Sequence, residues 1–433
     1  MDCLHIEGGV PLVGSVAVAG AKNAALPIMA ASILASRPVR LLAVPKLVDV
    51  RTLSLLLGHL GVEVNRDRGG ALHIQTVDPR PTRADYDLVR RMRASFCVLG
   101  PLVARRGRAA VALPGGCNLG ARPVDLHLAG LAALGADIRI ERGYVVASAR
   151  RLVGTTIDLA GPRGPSVTGT ANVLSAAVLA RGTTVIRHAA REPEIVDLGQ
   201  FLNTLGARIE GLGGDTIEVT GVGELGGATH QIIPDRIEAA TLLMAGVVTG
   251  GSVRITGARP DHMTAVVSAL EAAGAEVHCG YNEIMVRGGG RPRPFDLDAL
   301  PYPGVPTDLQ AQFMALAAVA DGPATIRDLV FPERFRHVDE LNRLGARIVR
   351  THDGVRVNGV ARLSGAPVTA SDLRASAALV LAAVAAEGRS VIRRVNHLDR
   401  GYERLEVKLS GLGARIVRGQ GAAAGVPREP ATA

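Results

Sequence analysis

The sequence predicts an α/β protein of two domains, built from six copies of one helix–strand unit, with helices inside and sheets outside. Three observations carry that prediction. A short pattern recurs six times, as LGHLGVEV, LAALGADI, LNTLGARI, LEAAGAEV, LNRLGARI and LSGLGARI. Its glycines fall at Gly61, Gly135, Gly206, Gly274, Gly345 and Gly413, at intervals of 74, 71, 68, 71 and 68 residues. A helix of small apolar residues recurs upstream of the pattern, as in Thr170–Leu179, Ile237–Val248, Leu309–Ala320 and Leu373–Ala386. Finally, 433 residues exceed what one ordinary core organises, and six units divide into two sets of three.

The local chemistry accounts for each element. In the repeated pattern an amphipathic helix ends at glycine, which adopts the left-handed C-cap conformation without a Cβ penalty. A strand of alternating character follows, as in Ala207-Arg208-Ile209-Glu210. Another strand precedes the helix, such as Thr184–Arg187 or Ser252–Ile255. Each unit therefore reads helix, strand, helix, strand, strand. Helices rich in Ala and Gly let backbones approach closely and suit burial on every side, which puts them inside. The period is longer than the 20–50 residues typical of solenoids. After Arg418 the chain reads GQGAAAGVPREPATA, a low-complexity stretch, and a disordered tail over 420–433 is expected.

Composition narrows the function. Hydrophobic residues make up 47% and aromatics only 3%, with no Trp, so the core is built from Ala, Val, Leu and Ile. A formal charge of +9 favours acidic partners. Arg is scattered rather than blocked, and few aromatics are available to stack on bases. A basic nucleic-acid-binding scaffold is therefore the weaker reading, and anionic small molecules are the better one. Cys3, Cys97, Cys117 and Cys279 contain no CxxC spacing, so no metal site is expected. The start has no signal-peptide pattern and no apolar run reaches a membrane span, so a cytoplasmic location without a membrane partner is expected.

The segment with most chemical information is LPGGCNLGARPVDLHL, Leu113–Leu128. Its glycines demand turns, and Cys117 sits between them near Arg122, a cation that favours the reactive thiolate. The alternative, a small buried hydrophobe, is retained for Cys3, Cys97 and Cys279. In Gly20-Ala21-Lys22-Asn23-Ala24-Ala25 a turn leads into a helix whose first N–H groups and Lys22 favour an anion. Thr307 or Asp308 in PTDLQAQF stands where a helix cap or a catalytic carboxylate would stand. Further charge pairs open SDLRAS (Ser371–Ser376), FPERF (Phe331–Phe335) and HLDRGYER (His397–Arg404). Singly, each Arg reads as a surface ion pair of little energetic weight. Together they describe a pocket for a ligand with several negative charges, which the planar guanidinium fork grips bidentately.

KNAA at Lys22, MRAS at Met92–Ser95, LPGGCNLGARPVDLHL, AAREPEIVD at Ala189–Asp197, PDRIE at Pro234–Glu238, PTDLQAQF, SDLRAS and DRGYER stand in one order along all six repeats. In this the chain resembles the UDP-N-acetylglucosamine 1-carboxyvinyltransferases, in the EPSP synthase superfamily, over nearly its whole length to Arg418. The resemblance implies a fold of two similar domains, an inside-out α/β barrel with three βαβαββ units in each. It implies a division of residues 1–21 with 233–419 against 22–232, the latter carrying the Cys loop. It implies phosphoenolpyruvate and UDP-N-acetylglucosamine as partners, with no cofactor, and the first committed step of peptidoglycan synthesis as the function.

By the same resemblance, Lys22, Arg122 and Arg400 hold the phosphate of phosphoenolpyruvate, and Arg334 and Arg374 its carboxylate. Asn23 and Asp308 contact the sugar, and Asp308 takes the proton of the attacking 3-hydroxyl. Cys117 acts as general acid and forms a covalent adduct with the donor, a 2-(S-cysteinyl)pyruvic acid O-phosphothioketal; it is also the cysteine that fosfomycin alkylates in the family. Arg93, the run Arg122, Pro123, Val124, Asp125 and Leu126, and the loop Gly164, Pro165, Ser166 and Val167 bind the UDP-sugar. Val330 and Asp372 complete the substrate-binding set. Two positions depart from the family pattern. Val48 stands where many relatives carry Lys, and the loop Gly161–Thr168 has no Lys just before its Ser, leaving Arg163 as the substitute charge. The competing acceptors are shikimate 3-phosphate, against which the Cys loop and RPVDL stand, and a different uridine nucleotide.

Overall fold

The computed structural model describes residues 2–114 and 124–420. The described residues form six four-stranded sheets on one plan. In each, a parallel edge strand lies beside a central strand, and two antiparallel strands follow. Arg83–Ala84, for example, runs parallel to Arg108–Ala112, with Ala84 opposite Val111. Val111 in turn faces Val145 of Tyr144–Ser148, and Val145 faces Ile140 of Asp137–Glu141.

The repeating unit is therefore βαβαββ, one strand more than the hydrophobic pattern reveals. In five of the six sheets the missing strand is short: Arg83–Ala84, Thr156–Asp158, Thr229–Gln231, Leu297–Ala299 and Pro367–Thr369. Two or three residues cannot display an alternation.

Three strands pair out of sequence order. Thr229–Gln231 supplies the edge beside Val39–Leu42, and Val13–Ala17 supplies the edge beside Ser252–Thr256. Asp2–Glu7 is inserted between Arg389–Arg393 and the last strand, Arg415–Gln420. Gly419 and Gln420 pair there with Cys3 and Asp2, so the tail expected from residue 420 starts too early. Ladder hydrogen bonds hold those two residues despite their composition. Residues 421–433 lie outside the described residues.

Both classes of helix behave as their composition dictates. Every residue of Arg236–Val248 and Gln310–Ala317 is buried, as is all of Lys22–Ala31 except Asn23. With Leu373–Ala385 and Val167–Ala177 they form the interior, and the sheets lie outside them. The amphipathic helices end at the six repeat glycines, whose φ values are 73°, 97°, 107°, 88°, 89° and 99°. All six occupy the left-handed region, where an added Cβ costs roughly 1–2 kcal/mol. The arrangement is the inside-out α/β barrel.

Buried apolar side chains separate into two cores. One draws on Ala21 to Ile232; the other takes Leu4, Ile6 and Leu12 together with Ile237 to Ile416. Among the described residues no helix is long and apolar enough to cross a membrane.

Candidate active site

The site is assembled where residues of the two cores meet. Lys22 is the first residue of its helix and is only 8% exposed. Its Nζ lies 3.1 Å from Oδ2 of Asp49, in the first turn of the Val48–His59 helix. The Asp49 carboxylate is buried and also accepts from Arg400, Nε to Oδ1 at 2.9 Å and Nη2 to Oδ2 at 3.5 Å. One carboxylate thus gathers cations from opposite ends of the chain. The segment carrying Arg400 is braced by Arg418, which donates to Asp399 at 2.6 and 3.0 Å and to Glu406 at 3.2 and 3.3 Å.

A second carboxylate does the same next door. Asp308 accepts from Arg334 Nη1 at 2.9 Å and from Arg374 Nη2 at 2.8 Å, and the Asn23 amide lies 3.4 Å away. Both guanidinium groups are almost fully buried. Burial pushes the Asp308 carboxyl up, but Arg374 and Arg334 outweigh it and hold it well below the usual carboxylate range. Burial alone would lower the Arg374 pKa; Asp308 reverses this and keeps the guanidinium charged. Arg374 also lies 5.6 Å from the Tyr402 ring centroid, and the Tyr402 hydroxyl is within 2.9 Å of Thr241 Oγ1 and 3.1 Å of Gln312 Nε2. Arg334 further donates to Thr307, whose hydroxyl donates to Asp328. Asp328 accepts from the Val330 and Phe331 N–H groups, so Val330 lies in the turn that carries Arg334. Asp372 caps the Arg374 helix through the Arg374 and Ala375 N–H groups.

The segments expected to hold the nucleotide come together around a residue that sequence reasoning missed, Asn172. Its Nδ2 donates to the Phe96 carbonyl at 3.0 Å and to His127 Nδ1 at 2.8 Å, while its Oδ1 accepts from Gly100 N at 2.8 Å. With Nδ1 accepting, His127 Nε2 is the donor to Thr168 Oγ1 at 3.2 Å. Asn172 thereby ties together the turn opened by Arg93, the helix opened by Asp125 and Leu126, and the helix Val167–Ala177 capped by Ser166. Gly164 has φ 96°, and a Cβ there would sit 2.8 Å from Pro301, so the 161–165 turn abuts the segment leading to Asp308. Val124 is half-buried. Two of the quoted motifs also meet each other. Glu194 of AAREPEIVD and Arg236 of PDRIE form a buried bidentate pair, Nε–Oε1 3.0 Å and Nη2–Oε2 3.2 Å.

Cys117, Arg122, Pro123 and the rest of 115–123 lie outside the described residues. Cys3 and Cys97 are buried as expected, and burial pushes the Cys97 thiol up to about 12. Cys279 departs from the expected core position: it ends the strand Glu276–Cys279 and is exposed. Its thiol is nonetheless raised, by partial burial and by Glu271. Val48 is exposed at the head of the Asp49 helix and lines a shallow groove with Lys46, Arg51 and Arg66. Among the described residues no group of three His, Cys, Asp or Glu side chains could hold a metal ion.

Comparison with known proteins places this arrangement. The family described as EPSP synthase (3-phosphoshikimate 1-carboxyvinyltransferase) matches residues 6–409. A UDP-N-acetylglucosamine 1-carboxyvinyltransferase of Anaeromyxobacter sp. (strain Fw109-5) is 54% identical over 422 residues, covering 96% of this chain and 99% of its own. The enzyme of that name from Geobacter metallireducens is 50% identical, covering 96% and 99%. The crystal structure of the enolpyruvyl transferase NikO from Streptomyces tendae superposes with a TM-score of 0.87 at 31% identity, over 97% of this chain and 99% of that one. An EPSP synthase from Acinetobacter baumannii shares the fold, with a TM-score of 0.74 at 18% identity over 97% and 100%. This chain therefore belongs to the EPSP synthase family and, within it, to the UDP-N-acetylglucosamine 1-carboxyvinyltransferases.

Proposed function

We propose that the chain transfers the enolpyruvyl group of phosphoenolpyruvate to the 3-hydroxyl of UDP-N-acetylglucosamine, releasing phosphate, as the first committed step of peptidoglycan synthesis in the cytoplasm. The observation that carries this reading is the convergence of Lys22, Arg400, Arg334 and Arg374 on two adjacent carboxylates where the two cores meet. Four cations in a small volume, three of them buried and Arg400 partly so, suit a compact donor carrying both phosphate and carboxylate. We read the two cores as two domains, 1–21 with 233–419 and 22–232.

In this reading Lys22, Arg400 and Arg122 hold the donor phosphate, and Arg334 and Arg374 its carboxylate. Asn23 and Asp308 meet the sugar. Arg93, Asp125, Leu126 and Gly164–Val167 hold the nucleotide on the elements tied by Asn172. In the free protein Asp308 is a poor base, because two guanidiniums stabilise its anion. A donor carboxylate that takes over Arg334 and Arg374 frees Asp308 and raises its basicity beside the sugar hydroxyl. The hydroxyl oxygen then bonds to C2 of the donor, its proton passes to Asp308, and C3 gains a proton from Cys117 as general acid. Loss of a C3 proton and of phosphate from the tetrahedral intermediate gives the enol ether. The cations stabilise the charge growing on the leaving phosphate.

The test is phosphate release from phosphoenolpyruvate with UDP-N-acetylglucosamine and shikimate 3-phosphate offered separately. Turnover is expected with the UDP-sugar. Equal or faster turnover of shikimate 3-phosphate would overturn the reading.

A further inference from the structure

We infer that Asp49 is a positioning residue for the donor's phosphate: it holds Lys22 and Arg400, one from each core, together on a single buried anion. The inference rests on the reading of Lys22 and Arg400 as the phosphate grip. Four observations carry it. Asp49 is 2% exposed, and a carboxylate at that depth is tolerated only when paired. Each of its oxygens accepts from a cation, Oδ2 from Lys22 and Oδ1 from Arg400. It lies in the first turn of its helix, where the backbone N–H groups favour an anion and the backbone fixes its position. Its arrangement repeats that of Asp308, which holds Arg334 and Arg374 in the same way.

The free protein thus carries two internal carboxylates, one for each cation pair that the donor's two anionic groups would engage. Without Asp49, Lys22 and Arg400 lose the anion that each of them engages, and their like charges are left to repel each other. An incoming phosphate would then have to gather both side chains itself, and that cost falls on donor binding alone. Asp49 touches no reacting atom in this scheme. It acts through the two cations.

Steady-state kinetics of Asp49→Asn separate this role from a merely structural one. The KM for phosphoenolpyruvate is expected to rise about 10-fold or more, while that for UDP-N-acetylglucosamine stays within about 2-fold. Asp49→Glu restores the charge and should bring the donor KM back to within about 3-fold of the parent; it also carries the test if the Asn variant fails to fold. In an Arg400→Ala background, Asp49→Asn should add less than about 3-fold, because half of what it positions is already gone. An unchanged donor KM, equal rises in both KM values, no rescue by Glu, or fully multiplicative effects in the double variant would each overturn the inference. A parent protein that releases no phosphate with any acceptor would instead refute the functional reading beneath it.

Discussion

Replacing Asp308 by Ala removes the counter-ion of two guanidiniums at once. The Arg334 and Arg374 side chains are 6% and 4% exposed, so neither can turn to water without moving the helix or turn that carries it. Each loses a hydrogen bond to a charged partner, at 2.9 and 2.8 Å, of the kind worth about 1.5–3 kcal/mol. Breaking a buried pair from one side costs about 3–5 kcal/mol, and because Asp308 is itself 26% exposed the lower end, about 3 kcal/mol, is expected. The same change removes the proposed proton acceptor, a contribution of roughly 10²–10⁴ in kcat. Phosphoenolpyruvate should partly reverse the stability loss, because its carboxylate supplies the missing anion. Urea unfolding with and without the donor reads the first effect, and phosphate release reads the second. A variant within about 1 kcal/mol of the parent, gaining no more from phosphoenolpyruvate than the parent does, would refute the counter-ion argument.

Three other outcomes follow from the same geometry. Arg400→Ala should raise the KM for phosphoenolpyruvate at least about 10-fold while leaving the urea midpoint nearly unchanged; unaltered donor kinetics would remove Arg400 from the site. Burial holds the His337 imidazole down, to about 4 from an ordinary 6.5, with Arg334 and Arg350 acting in the same direction and Asp372 against them. Below pH 6.5 the unfolded chain takes that proton first, so this group's contribution to stability falls between pH 6.5 and about 4, a slope that His337→Gln should reduce in urea titrations across that range. Fosfomycin should alkylate Cys117 alone, faster with UDP-N-acetylglucosamine present, as read by mass spectrometry; Cys3 and Cys97 are protected by burial and Cys279 by its raised thiol pKa, so labelling at any of these contradicts the role of Cys117.

What was legible in the sequence was local or periodic. The C-cap glycines could be read because a left-handed residue is a single-position requirement, and all six conform. The inner helices could be read because continuous small apolar residues leave no polar face to solvate. The edge strands could not, since Arg83–Ala84 is too short to alternate. Partner choice across the chain was equally invisible. Asp49 looks like ordinary first-turn charge until Arg400 is seen against it, and Asn172 looks like one polar residue in a helix until three segments are seen on its amide. Glu194 and Arg236 lay inside quoted motifs, yet only the tertiary structure pairs them. The Arg and Asp residues proposed for the donor site were assigned through family resemblance, because each alone is indistinguishable from a surface ion pair.

The central claim is the identity of donor and acceptor, and the product tests it most directly. The protein would be incubated with phosphoenolpyruvate and equal concentrations of UDP-N-acetylglucosamine and shikimate 3-phosphate. The products would then be separated and examined by mass spectrometry and proton NMR. The account predicts one enol ether, with its vinyl protons on a UDP-sugar substituted at the 3-hydroxyl, and phosphate released in equal amount. Enolpyruvyl shikimate 3-phosphate as the main product, or phosphate release without an enol ether on the sugar, would contradict it.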